Sequence, residues 1–435
     1  MARVDYSLTA SPHAPLPVAV RAEGCRIWDA DGREYIDACG GAMVMSLGHR
    51  HPRLLAALER QAQSITFTYR FAFANEPLRD LADLVREIAP FPNAWSFFNS
   101  SGSESVESAL QLALLYWRYR GEPQRTALIG RYPSYHGSTV GALSLSGSRV
   151  RVPFEAILAD EAVAWTPNAD IRAGRTPTEE TARGIAELEA AIAAHGPECV
   201  AGIFLEPITG ASAAAVVPPD DYLAAVRALC DRYGILLICD ETITGFGRTG
   251  TWFGVDHWGV APDVITFAKG ITSGVVPFSG MIVRDTVADV LMADPGGFPV
   301  GHTFSGYPLG CAVAAEAIRT IRDEDLLTHA TTMGTRLRAG LDALAARHGC
   351  VGQVRGRGLL QGLELVEDRD GLAPRAGAMR RVVAAARAAG VMIYPCPTPL
   401  GPLQLECILL APPLIVESAD IDRILEILDE ALEAA

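Results

Sequence analysis

Two of the chain's polar residues, Lys269 and Asp240, stand just past apolar, strand-like runs: Phe267-Ala268-Lys269-Gly270 and Ile238-Cys239-Asp240-Glu241. A lysine amine can hold an aldehyde as a Schiff base, and a carboxylate can keep an aromatic ring nitrogen protonated. Two more runs end the same way, Phe204-Leu205-Glu206-Pro207 and Phe97-Phe98-Asn99-Ser100-Ser101-Gly102-Ser103-Glu104. Each has a plainer account when taken alone. An acid after a buried strand often only turns the chain, and a lysine at a helix start is usually solvated. Glu206, Asp240 and Lys269 all fall at the C-terminal ends of predicted strands, where open α/β sheets bind ligands, and together they outline one pocket.

Ser101-Gly102-Ser103-Glu104 opens a predicted helix with Val106, Ala109, Leu110, Ala113 and Leu114 on one apolar face. The free N–H groups and positive dipole of such a helix start can hold a dianionic phosphate, and Gly102 lets it come close. The competing account is an ordinary serine N-cap with a capping box closed by Glu107. Tyr135-His136-Gly137 adds an aromatic that could stack on a flat ring. Amine, carboxylate, phosphate turn and aromatic make a site for pyridoxal 5′-phosphate.

The elements that must position these groups follow an α/β alternation. With 435 residues the chain exceeds what one core usually serves. We read a mainly parallel sheet in a large domain, residues 66–326. A smaller α+β domain is built from an N-terminal segment, 1–65, and a C-terminal one, 327–435. Val200–Leu205 and Ile235–Cys239 are continuous apolar runs, as strands buried on both faces should be. Cys25–Asp37 reads as a hairpin turning at Asp31-Gly32, Leu359–Leu365 and Val391–Tyr394 read as strands, and the polar stretch Ala169–Thr181 as a surface loop. Apolar content of 49% with 20% charged residues indicates a soluble globular protein, and a net charge of −14 argues against nucleic acid. The nine cysteines show no Cys-x-x-Cys pair and no clustering with histidine, so neither a metal site nor a disulfide framework is expected. Met1–Val20 has no apolar core of signal-peptide type and no segment is long enough to span a bilayer, which points to the cytoplasm without membrane partners.

The ordered motifs Asn-Ser-Ser-Gly-Ser-Glu-Ser-Val-Glu (99–107), Tyr-His-Gly (135–137), Leu-Glu-Pro (205–207), Asp-Glu-Thr-Ile-Thr-Gly-Phe-Gly-Arg-Thr-Gly (240–250), Ala-Lys-Gly (268–270), His-Thr-Phe-Ser-Gly-Tyr-Pro (302–308) and Val-Arg-Gly-Arg-Gly (354–358) resemble the class III aminotransferases of PLP fold type I. The likeness runs from about Trp28 to Pro413 and is nearest the ω-transaminase branch, whose members are homodimers with active sites at the subunit interface. It implies Lys269 as the Schiff-base lysine and Asp240 as partner of the pyridine nitrogen. Ser101, Gly102 and Ser103 match the phosphate turn, Tyr135, beside His136, the aromatic on one ring face, and Thr303 the threonine that completes the phosphate site from the partner subunit. Thr242 stands where the family usually has valine on the other ring face, and Glu206 resembles the acid that anchors pocket hydrogen bonds.

The departures concern the substrate. Relatives that use 2-oxoglutarate often carry an arginine where this chain has Leu409, and some a switching glutamate where it has Ala211. Other relatives place a mobile arginine in the segment matching Pro402–Cys407, which holds none. A buried carboxylate without a cation is expensive, so either the substrate lacks it or another residue answers it. Arg70 is the first candidate, in a segment that resembles a pocket wall, with Met43, Val44, Tyr69, Phe71 and Trp165 as further lining. The family implies ping-pong transfer between an amino donor and a carbonyl acceptor. A racemase, epimerase or aminomutase on the same residues is the alternative, and a PLP-binding protein without turnover a third.

Overall fold

The computed structural model describes residues 16–159, 163–168, 174–396 and 404–435. Among these the strands form three sheets. An N-terminal sheet takes β1 (Ala19–Glu23), β2 (Arg26–Asp29) and β3 (Glu34–Asp37). The β2–β3 hairpin turns at Asp31-Gly32 because the Asp29 carboxylate accepts from the N–H groups of Asp31 and Arg33, at 3.0 and 2.9 Å, and from the Tyr35 hydroxyl at 2.7 Å. The central sheet holds β4 (Trp95–Asn99), β5 (Ala127–Tyr132), β6 (Val163–Pro167), β7 (Val200–Leu205), β8 (Leu236–Asp240), β9 (Val264–Phe267) and β10 (Ser279–Val283) in the order β4-β10-β9-β8-β7-β5-β6. Only β10 runs against its neighbours. The third sheet is antiparallel: β11 (Val351–Arg357), β12 (Leu360–Leu365), β14 (Tyr394–Cys396) and β15 (Cys407–Leu410), ordered β11-β12-β15-β14. β13 (Val391–Met392) joins the N-terminal sheet beside β3, so the two ends of the chain share a sheet.

The central strands are apolar throughout because both faces are covered. On β7, Ile203 and Leu205 enter one core cluster, whereas Ala201 and Phe204 enter another with the helix Gly102–Tyr119. Every residue of β7 and β8 is buried, so polar groups are admitted only where the strands stop. Two expectations change. Residues 169–173 lie outside the described residues, but from Pro177 the supposed loop is a helix running to His195. Its start was legible: Pro177 is preformed for the first turn, and Thr176 with Glu179 makes a capping box. Leu114, assigned to the buried face of its helix, is 42% exposed, and Leu112 and Tyr116 are buried in its stead.

Candidate active site

β8 delivers Asp240 at its last residue, β7 delivers Glu206 one residue on, and β9 delivers Lys269 two residues on. Because these strands are parallel neighbours, the three side chains converge at one edge of the sheet. A cavity of about 190 Å³ lies there. Asp240, Glu206, Lys269 and His136 supply its ionisable wall, Gly102 and Ser103 its helix start, and Tyr135 and Thr242 its flanks.

Asp240 is 4% exposed, and both its oxygens are engaged. Oδ2 lies 2.8 Å from His136 Nδ1, while Oδ1 accepts from the Thr242 N–H at 3.0 Å and the Thr266 hydroxyl at 3.1 Å. Burial pushes its carboxyl up, but the bonds from His136 and Thr242 outweigh burial and hold it below the usual range. Lys269 shows the opposite balance. Burial pulls its amine down to about 8, against the upward pull of Asp240 and Glu206. Among the described residues its amine has no hydrogen-bond or ion-pair partner, and its backbone is held in the left-handed region at φ 48°. Burial also raises the carboxyl of Glu206, whose Oε1 accepts from the Tyr135 N–H at 2.9 Å and Oε2 from the Gly210 N–H at 2.6 Å.

The helix start at Ser101 is built more tightly than its sequence suggests. The capping box exists, but Glu104 closes it rather than Glu107. The Ser101 hydroxyl accepts from the Glu104 N–H at 3.2 Å, and Glu104 Oε2 accepts from the Ser101 N–H at 3.1 Å. Glu107 instead accepts from the Gly141 N–H at 2.8 Å. The Ser101 side chain is thus spent on the cap, while the N–H groups of Gly102 and Ser103 remain at the cavity. Close packing explains Gly137, where a Cβ would come 2.5 Å from Ser103 Oγ, whereas one on Gly102 would make ordinary contact with Ala268 at 3.4 Å and Thr242 at 3.7 Å. These contacts set the helix start against both the lysine segment and the Asp240 turn. An anion-binding helix end, a flat slot, an amine and an ionised carboxylate are what a phosphorylated pyridine aldehyde requires, so the residues fit the cofactor.

Other expected site residues lie elsewhere in the protomer. Thr303 is exposed and does not line the cavity. Arg70 lies over Phe71, 4.5 Å from its ring centroid, and packs on Gly301. Tyr69 is 59% and Phe71 72% exposed. Met43 is buried in an apolar cluster with Ile208, Ala211, Leu405 and Leu409, and Trp165 sits under the Arg151 guanidinium. Within Pro402–Cys407, Pro402 and Leu403 fall outside the described residues. Ile243, not among the residues expected from the sequence, lines the cavity and packs against the Met43 cluster. Its place inside the 240–250 motif was the available signal. Among the described residues no acid, histidine and cysteine group is arranged for a metal ion, and no helix is long and apolar enough to cross a membrane.

Comparison with known proteins agrees along the whole length. The family profile described as Aminotransferase class-III matches residues 8–432. The 4-aminobutyrate aminotransferase GabT of Escherichia coli K12 is 36% identical over 425 residues, covering 96% of this chain and 93% of that protein. The putrescine–pyruvate aminotransferase of Pseudomonas aeruginosa is 36% identical over 358 residues, 81% of this chain and 77% of that one. The crystal structure of a thermostable (S)-enantioselective omega-transaminase from Thermomicrobium roseum superposes with a TM-score of 0.92 at 35% identity, covering 99% of this chain and 96% of that one.

Proposed function

Because the chain belongs to the class III aminotransferases, enzymes that depend on pyridoxal 5′-phosphate, we propose that Lys269 and Asp240 are its catalytic pair. The protein moves an amino group from an amine or amino acid to an oxo acid, aldehyde or ketone in two half-reactions. When bound, the cofactor supplies an aldehyde that captures the amine and a ring that absorbs the electron pair released when a C–H bond breaks. Lys269 Nζ, in its neutral form, takes the proton from the substrate carbon that bears the nitrogen and later delivers it. The ionised Asp240, backed by His136, would hold a proton at the cofactor's ring nitrogen. Gly102 and Ser103 would offer N–H groups to its phosphate, Tyr135 and Thr242 would hold its ring, and Glu206 fixes the Tyr135 backbone. The observation that carries this assignment is the unpartnered Lys269 amine in a cavity shared with a fully bonded Asp240.

The amino donor is proposed to be an amine whose substituent is apolar near the reacting carbon. Leu409 and Ala211, where relatives hold an arginine and its switch, are packed with Met43 and Ile208, and Ile243 links that cluster to the cavity. Of the described residues lining the cavity, Lys269 is the only lysine or arginine. A panel of amines and amino acids added to PLP-loaded protein, followed by cofactor absorbance, tests this. Simple amines should bleach the visible band faster than α-amino acids, and a strict preference for α-amino acids would overturn it.

We also propose a homodimer with shared sites. Phe67, Tyr69, Phe71, Phe73 and Phe304 are exposed on neighbouring segments, a patch larger than solvent favours. Arg70 packs on Gly301, two residues from Thr303, so a dimer that presents Thr303 to the partner's phosphate carries Arg70 with it. Arg70 would then meet an acceptor's carboxylate across the interface. A cytoplasmic location is proposed because the nine cysteines form no disulfide among the described residues, as in reducing compartments.

A further inference from the structure

β11 carries a buried cation, Arg355, that the reaction as derived does not use. It is 8% exposed, and its Nη1 is paired with the Glu364 carboxylate on β12 at 2.7 Å. The rest of the guanidinium reaches out of the sheet. Nε donates to the Ala214 carbonyl at 3.0 Å and Nη2 to the Ala213 carbonyl at 2.8 Å, with the Cys407 sulfur 3.3 Å from Nη2. Those carbonyls belong to a loop, residues 209–216, closed at its ends by the Thr209 N–H donating to the Val216 carbonyl at 2.9 Å. Two of its residues, Ala214 and Ala215, hold left-handed backbone at φ 51° and 60°. An alanine side chain offers nothing that favours this conformation, so contacts from outside the loop must impose it. The Arg355 guanidinium supplies two of them. Gly362 on β12 admits the loop, since a Cβ there would run into the Ala214 carbonyl.

The same loop reaches the cavity. The Gly210 N–H donates to Glu206 Oε2 at 2.6 Å, and a Cβ on Gly210 would overlap the Ile243 side chain and lie 3.1 Å from that same oxygen. Ile243 and Glu206 both line the cavity. Ala211, Ala213, Ala214 and Ala215 pack in the apolar cluster that holds Met43 and Leu409. We propose that Arg355 is a positioning residue: by clamping this loop it sets how far the apolar wall stands from the cavity, and so decides which donor substituents are accepted. Bonds from one planar group to two consecutive carbonyls fix the twist of the loop as well as its place, which a point charge cannot do. The inference rests on the proposed reading that this wall receives the donor's substituent.

The test uses Arg355→Lys, which keeps a charge for Glu364 but cannot span two carbonyls. In cofactor-free protein, hydrogen exchange at the Ala213 and Ala215 N–H groups, which bond the Gly210 carbonyl at 3.3 Å, should quicken roughly tenfold. In PLP-loaded protein, KM and kcat are measured for two primary amines, one with only methyl groups on the reacting carbon and one with a phenyl group there. KM for the phenyl amine should rise roughly tenfold and that for the methyl amine less than about twofold, with kcat and the visible band of the cofactor kept. Adding Ala214→Gly and Ala215→Gly, which let the loop hold its left-handed turn without the clamp, should restore most of the lost KM. Unchanged exchange in folded Arg355→Lys, equal KM changes for both amines, or glycines that restore nothing would overturn the proposal. The wild type's own ranking of amines against amino acids decides the reading beneath it. If the wild type accepts only amino acids, alanine and phenylglycine serve as the pair. Should Arg355→Lys not fold, Arg355→Gln joined with Glu364→Gln, which removes both charges together, decides by the same comparison.

Discussion

A single amine carries the proposed chemistry, and Lys269 sits in a backbone conformation that side chains seldom adopt, with φ 48°. Lys269→Ala should therefore cost at least about a thousandfold in turnover, the scale of a lost acid–base group, while the phosphate turn still binds the cofactor. Stopped-flow absorbance with an amine donor measures this, and near-normal bleaching in the variant would remove Lys269 from the mechanism. Glu241, next to Asp240 in the 240–250 motif, is fully buried, and burial pushes its carboxyl up to about 7. Three donors oppose that push: the Thr244 hydroxyl and the N–H groups of Gly254 and Val255, at 2.8 and 2.9 Å. A carboxyl with a higher pKa folded than unfolded stabilises the fold below about 4.5, and that gain is lost as pH rises through about 7. Glu241→Gln should flatten the fall in Tm between those values, a term on the order of 3 kcal/mol at most. Melts across a pH series read it, and an equally steep fall in the variant would assign the titration to another group.

Elements explain which parts of this were legible beforehand. A polar residue ending an apolar strand can be seen in sequence because burial on both faces forbids polar groups until the strand stops. Glu206, Asp240 and Lys269 announce themselves for that reason. The capping signals at Thr176 and Glu179 sit in a polar stretch that reads as a loop, β11 is interrupted by glycines and arginines, and β15 is only four residues long. What no local pattern showed is which side chains a contact excludes. Gly137 has φ 141°, and a Cβ there would press on Ser103. Gly137→Ala should strain the folded protein by about 1–3 kcal/mol, lowering Tm, and a helix start displaced to relieve it should bind the cofactor more weakly, by up to roughly 150-fold in Kd. Unaltered affinity would show that the helix start tolerates displacement. Leu409 poses the reverse problem, being fully buried among apolar neighbours. Leu409→Arg should destabilise by about 3–5 kcal/mol, as an uncompensated buried charge does. Adding Ala211→Glu should recover part of this. Denaturant midpoints of the single and double variants would expose a failure to couple.

The whole molecule adds what one chain does not display. Thr303 and Arg70 share a corner with exposed aromatics, and neither lines the cavity beside Lys269. Sequence alone could name them only by resemblance, because an exposed corner has no signature in local periodicity. Inactive Lys269→Ala chains mixed with inactive Thr303→Ala chains should form heterodimers with one intact site, recovering about a quarter of wild-type activity at equal ratio. Activity that never rises on mixing, or a fully active monomer in sedimentation, would exclude shared sites. Within the protomer, the turn after β8 is fastened to the C-terminal sheet. Arg248 donates to the carbonyls of Leu359 and Pro412, the Leu359 N–H returns to the Arg248 carbonyl at 3.1 Å, and the Leu414 N–H reaches Ser46 at 2.7 Å. Swinging one sheet away from the other would tear this seam, beginning with a charge that has nowhere else to go. Among the described residues this seam is where an opening of the site would cost most, so the frame that aims the lysine is fastened to the far sheet rather than left to swing from it.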